Sequence, residues 1–395
     1  MFEVHKSRSH KTVHGIKGLS VLTGVPNFNI VDGLPVDYMH MALLGVTRTI
    51  WELLLENTGF ESKEQPYYIG HKRKMIESRL LNIRLPSSFP RRLRKIEEYT
   101  KYKASEWEAI LLHCIYPCLS DLLPSVYLKH IMLFASTMFL LLEFNIQEHI
   151  LSLCEKQLIK FVYFEKLYGK PYMVYNVHIS KHLVNAVRNL GALWNFSLFP
   201  YENDNGMLTA FHSSNNHPVL QVATKFFLNK LVHHTQLPIN SPIFEWTEKL
   251  WSLQAKSLKY DARLKTTIEN NVTVADHMRE TDFNDIGKCQ YEGINICAKE
   301  ICRKFAYDDS YVCLNGMFYH VERFLVDKKE KLYIIGTQML VKKLFANMFL
   351  YTFSKNMILL LLNESVRQCV SVTVETVNGT YKNYVSFCKI RTQID

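Results

Sequence analysis

The spacing of hydrophobic residues along this chain changes once, near Tyr311, and that change limits the fold more than any other feature. Upstream, apolar residues recur at three and four, the period of an amphipathic helix; downstream they alternate, the period of a strand. In "KASEWEAILLH" Ser105 and Glu108 predict a capping box, with Leu111, Leu112 and Ile115 following at helical spacing. A second helix is predicted near Ser125. A third near Ile146 carries Ile150, Leu151, Cys154, Leu158 and Phe161 on one face. Another runs from about Val174 to a C-terminal Gly191. Pro200 enters one more, and Pro218 starts a last one whose apolar stripe is Val219, Val222, Phe226, Phe227 and Leu231. After Tyr311, "MFYHVERFLV", "KLYIIG" and "VSVTVETVNGTYKNYVSF" read as strands, and Asn378-Gly379 predicts a type I′ hairpin. Helices first and strands last argue a mainly α chain with a small C-terminal β domain, an α+β class. Residues 1–36 read as a loop segment, and the polar stretch 235–300 as helix plus linker.

Charge bears on partners rather than fold. The formal net charge is +10, and the excess is local: from His71 to Lys103 there are eleven Lys/Arg against three Glu. The stretch reads either as a solvated helical face or as a surface for a polyanion, of which nucleic acid is the commonest. Lys72, Arg73, Lys74, Arg91, Arg92, Arg94 and Lys95 are the candidate phosphate contacts. The nine cysteines are odd in number and form no C-x-x-C, and "MFEVHKSRSHKTVHG" is polar from its third residue. Reduced thiols and no signal peptide are therefore expected. "IMLFASTMFLLL" is shorter than the roughly 20 apolar residues of a spanning helix. "LFANMFLYTFSKNMILLLL" is interrupted by Ser354, Lys355 and Asn356, so both are expected to be buried elements rather than membrane spans.

Three groups of residues could carry chemistry. His178 and His182 share a helical face at i, i+4, which suits two ligands of a tetrahedral zinc or simply a polar surface. Glu202 falls at a helix start, where the dipole favours a carboxylate; it could equally be one acid of a two-metal nuclease site, which needs several. Asp37 and His40 in "VDYMH" lie one turn apart and could cap a helix or bind metal.

In order, these motifs resemble the transposases of the CACTA (En/Spm) group, within the set that includes Mirage and Chapaev elements. The matching text is "GIKGLSVLTGVPNFNIVDGLPVDYMHMALLGVTR", "LPSSFPRRLRKIEEYTKYKASEWEAILLHCIYPCL" and "YNVHISKHLVNAVRNLGALWNFSLFPYENDNGMLTAF", covering roughly Gly15 to Val232. The resemblance implies an RNase H-like core with an Asp-Asp-Glu triad, Mg²⁺ or Mn²⁺ for strand cutting and joining, a Zn²⁺ site, DNA as partner and the nucleus as location. By resemblance Glu202 matches the triad Glu. His178 and His182 match the histidine half of a zinc site completed by a C-x-x-C, and Asp37 and His40 match the group's D-x-x-H. In the family the triad aspartates and the C-x-x-C precede "GIKGLS"; here Met1 lies 14 residues before Gly15, so an N-terminally truncated core is expected. The expected organisation is a remnant loop (1–36), a helical insertion (37–170), a segment bearing the histidine pair and Glu202 (171–234), a linker (235–305) and a small β-barrel-like domain (306–395). The expected function is DNA binding without a complete catalytic core, with a homo-oligomer or the full-length transposase as further partner. The alternatives are an active DDE enzyme, if upstream sequence supplies the missing half, and a co-opted protein-interaction module.

Overall fold

Trp51 and Trp107 meet edge to face at 6.1 Å in the centre of the helical half, where both are fully buried. They mark the core around which the N-terminal part of this computed structural model is built. The described residues are 18, 20–30, 32–56, 64–234, 263–266, 272–274, 278, 283–363 and 365–389. The structure is mixed α and β, about 47% helical and 22% strand, with the sheet at the C-terminal end.

The helical half opens with a π-helical segment, Met39–Thr47, that runs directly into α1 (Arg48–Leu55). Thr47 Oγ1 donates to the carbonyl of Ala42, five residues back, which fits the wider turn. After α2 (Arg73–Leu81), α3 (Ala104–Ala109) continues through a second π segment, Ile110–Cys114, into α4 (Ile115–Leu119). The predicted capping box lies two residues away from the real one. Glu106, not Glu108, reaches back to the backbone N–H of Lys103 at 2.8 Å, and Ser105 is already helical. Glu108 instead accepts a bond from the Tyr38 hydroxyl, 70 residues away, a tertiary contact that local pattern does not announce.

Helix α5 (Ser125–Leu141) is the apolar stretch that resembled a membrane span. It is buried by its own protein, with Ile131, Met132, Phe134, Ala135, Met138 and Phe139 inside. Among the described residues no helix is long and apolar enough to cross a membrane. Helix α6 (Glu148–Phe161) packs against α5 and buries Leu151, Cys154, Leu158 and Phe161, the stripe its spacing predicts. After α7 (Phe164–Tyr168), the segment that carries the two histidines is not one helix. It is α8 (Tyr175–Ile179), a 3₁₀ turn at Ser180–His182, and α9 (Leu183–Leu190), ending at Gly191. The buried Ser180 hydroxyl donates back to the Val177 carbonyl at 2.7 Å, a local bond that competes with the regular ladder there. Helices α10 (Phe199–Phe211) and α11 (Pro218–His234) form an outlying hairpin. The expected stripe of α11 is largely uncovered among the described residues: Val219 is 82% and Phe227 70% exposed.

Where the sequence reads as helix plus linker, the described residues form short strands: β1 (Arg263–Thr266), β2 (Val272–Thr273), β3 (Phe283–Asp285), β4 (Lys288–Tyr291) and β5 (Ile294–Cys297), then helix α12 (Lys299–Cys302). Strands of two to four residues are too short to establish a period. β3 is held by a distant partner, β7, whereas β4 and β5 pair with each other across the turn at Glu292-Gly293.

The remaining strands are β6 (Tyr311–Leu314), β7 (Met317–Asp327), β8 (Leu332–Lys343), β9 (Met348–Leu361), β10 (Arg367–Glu375) and β11 (Tyr381–Phe387). Their antiparallel pairings form a closed circuit, β6–β7–β8–β9–β11–β10 and back to β6. Closure leaves these six strands no common open edge. The two faces of β10 serve different cores. Val370, Val372 and Val374 belong to the helical core, while Cys369 packs with Cys313, Phe318, Met339, Tyr351 and Val385. The sheet therefore shares a continuous hydrophobic core with the helices. Polar bonds cross the same seam: His113 Nδ1 to Ser386 Oγ at 2.8 Å and Ser120 Oγ to Tyr384 Oη at 3.1 Å.

Both Asn-Gly dipeptides of the strand region sit in hairpin turns, but of different kinds. Leu314 pairs with Met317, so Asn315 (φ 51°) and Gly316 (φ 78°) alone make the type I′ turn. At Asn378-Gly379 the closing pair is Thr376 with Thr380, at 2.8 Å, which leaves three loop residues with only Gly379 (φ 73°) left-handed. The hairpin predicted there exists, but it is not type I′.

Candidate functional site

Asp37 lies at the start of the first π segment and accepts backbone and ring N–H groups on both of its oxygens. Its Oδ2 accepts the His40 backbone N–H at 2.8 Å and lies 2.6 Å from His40 Nδ1. Its Oδ1 accepts the N–H of Leu198 at 2.9 Å. Leu198 is the residue that precedes α10, and its carbonyl accepts the N–H of Glu202. Asp37 therefore caps one helical segment and tethers the N-terminus of another, the one that bears Glu202. Glu202 itself is exposed in the first turn of α10, where the helix dipole favours it.

The histidine pair sits beside the same segment. Helix α8 packs on the π segment so closely that a Cβ added at Gly45 would lie 2.4 Å from Asn176 Nδ2. The His178 and His182 rings are 6.2 Å apart and both residues are exposed. Partial burial, the adjacent Lys181 and the neighbouring His178 lower the His182 pKa below its ordinary value, which favours the neutral imidazole that a metal would need. Two nitrogens are half of a tetrahedral zinc shell. Among the described residues no three His, Cys, Asp or Glu are grouped to hold a metal ion. Asp37 accepts N–H groups on both oxygens, so the motif residues do not by themselves make up a two-metal or zinc centre. All nine cysteines are free, eight of them buried.

The basic stretch divides into two sets. Arg79 is buried and holds Asp121 with two bonds of 2.6 and 2.8 Å, while also donating to the carbonyls of Cys118 and Glu375. Arg94 forks onto buried Glu106 at 2.7 Å, and that bond raises the guanidinium pKa. Arg73 pairs with Glu56 at 2.5 Å, and Lys72 donates to the carbonyl of Leu122 at 3.0 Å. Arg84 holds the carbonyls of Cys302, Phe305 and Tyr307. Lys74, Arg91, Arg92 and Lys95 remain exposed. Of these, Arg91, Arg92 and Lys95 sit together on the loop between α2 and α3.

Sequence reasoning did not find Glu106, Asp121 or Asn176, although they position these groups. Their partners lie 12 to 42 residues away, or on another element. No protein-family model, no curated protein and no solved structure matches this chain.

Proposed function

We propose that this chain is a DNA-binding protein of CACTA-type transposase descent, built from the helical insertion and last segment of an RNase H-like core followed by a barrel-like β region. DNA binding rests on one observation above all. The cations needed for the fold are already paired, while Arg91, Arg92 and Lys95 stand exposed on one loop. Exposed cations of this kind gain affinity by displacing the counterions condensed on DNA phosphates. The proposed descent is supported by packing: the Asp37–His40 turn, the histidine pair and the start of the Glu202 helix, distant in sequence, are neighbours. The reading is confined to binding because two-metal cutting requires several convergent carboxylates.

Fluorescence anisotropy with a random-sequence duplex tests it. Binding is expected at about 50 mM salt, weakening steeply toward about 200 mM. The triple variant Arg91→Glu, Arg92→Glu, Lys95→Glu should weaken binding for all sequences alike and flatten the slope by roughly 0.9 per lost phosphate contact. No binding at about 50 mM salt would overturn the reading.

A further inference from the structure

We propose that the cavity between the α2–α3 loop and residues 305–307 binds one unpaired nucleotide of a DNA strand, with phosphate at Arg91 and Arg92 and the base on Phe305. This rests on the DNA-binding reading above and adds the form of DNA that the site takes. The cavity holds about 250 Å³. That is just below the roughly 300–1,000 Å³ of sites for drug-sized ligands, so it suits a single base or phosphate better than an extended molecule.

Its lining is specific in chemistry. Three arginines face it (Arg84, Arg91 and Arg92) and no acidic residue does. Its other lining residues are aliphatic, with two aromatic rings, Phe305 and Tyr307. The Arg92 guanidinium already lies over the Tyr307 ring at 5.2 Å, so that ring is partly used. Phe305 is 51% exposed, with Lys288 Nζ 5.9 Å from its centroid. An exposed phenylalanine with a lysine beside it and arginines lining the same cavity is an arrangement on which an unpaired base can stack while its phosphate is neutralised.

The loop that presents Phe305 is held in place before any ligand arrives. Arg84 donates to the carbonyls of Cys302, Phe305 and Tyr307, and its Nε is buried without a hydrogen-bond partner. Such pre-organisation reduces the ordering cost of binding. A duplex could offer this recess only its phosphates, because its bases are stacked on one another. An unpaired strand offers both phosphate and base, and so should bind more tightly.

The test compares labelled oligothymidine with a duplex of equal length at one salt concentration, using wild type, Phe305→Ala, Phe305→Trp and the double variant Arg91→Glu, Arg92→Glu. Wild type should prefer the single strand. Phe305→Ala should lose roughly 5- to 150-fold in affinity for oligothymidine, the value of one stacked base, with duplex affinity unchanged. Phe305→Trp should retain the preference, which separates stacking from a folding defect. The arginine variant should weaken both ligands. Equal affinity for the two DNA forms, or an equal loss on both in Phe305→Ala, overturns this inference while leaving DNA binding intact. Failure to bind either form overturns both.

Discussion

His113 shows how burial sets what a residue does. The sequence places it in an apolar helix; the structure buries it fully, with Nδ1 on Ser386. Burial, helped by the charge of Lys389, pushes its pKa down to about 3. In the unfolded chain the value returns to about 6.5, so the unfolded state takes up the proton first. Stability from this group is therefore complete above about pH 6.5 and is lost progressively as pH falls toward about 3, by up to roughly 1.4 kcal/mol per pH unit. His320, pushed down to about 4 by burial against the opposing influence of Glu322 and Asp308, acts in the same direction. Urea melts between pH 7 and pH 5 should show falling stability, and His113→Gln should flatten that fall. An unchanged profile in the variant would assign the effect elsewhere. The motif histidines differ: His178 and His182 are exposed, and nothing in their spacing distinguishes them from a buried histidine such as His113.

At the scale of elements, the two Asn-Gly turns separate what a dipeptide encodes from what pairing decides. Asn315 needs the left-handed conformation, and its side chain accepts bonds from Ser365 and Asn363. Asn378 needs neither. Asn315→Ala should cost about 1–2 kcal/mol from backbone strain alone, whereas Asn378→Ala should stay within about 0.5 kcal/mol. Denaturation midpoints of the two variants would check this, and equal losses would contradict the turn assignment. The dipeptide was legible at both sites. Its turn type was not, because loop length depends on which strand residues face each other across the turn. The same holds for the 3₁₀ turn between His178 and His182: the periodicity of apolar residues runs through it, while the Ser180 hydroxyl bonds back to the Val177 carbonyl there.

At the scale of the molecule, one face of the sheet shares its core with the helices, and the Arg79–Asp121 pair is fastened across their junction. Burial raises the Asp121 pKa, but hydrogen bonds from Arg79 and from the Val377 N–H outweigh it and hold the carboxyl below its usual value. Removing one partner of a largely buried pair strands the other, at a cost on the order of 3 kcal/mol. Arg79→Met should therefore lower the midpoint of unfolding seen by tryptophan fluorescence, to which the buried Trp51 and Trp107 of the helical core contribute, and by far-UV circular dichroism of the whole chain. The two probes should move together in a single transition. Separate transitions would mean that the sheet unfolds as an independent unit.

The sequence by itself determined the helices upstream and the long strands beyond Tyr311, the stripe on α6, the burial of the "IMLFASTMFLLL" segment and the local concentration of positive charge. Each is a short-range property, set by side-chain period or by composition within a window. Only the tertiary structure decided which arginines are free, that the six C-terminal strands close on themselves, and that Asp37 holds the helix of Glu202. A guanidinium is available to a ligand only if no carboxylate or carbonyl folded beside it has taken its donors, and that depends on partners as much as 296 residues away, as between Arg79 and Glu375. Distance along the chain carries no record of such partners, so residues of the same type in the same basic run end up as a buried brace at Arg79 and an open contact at Arg91.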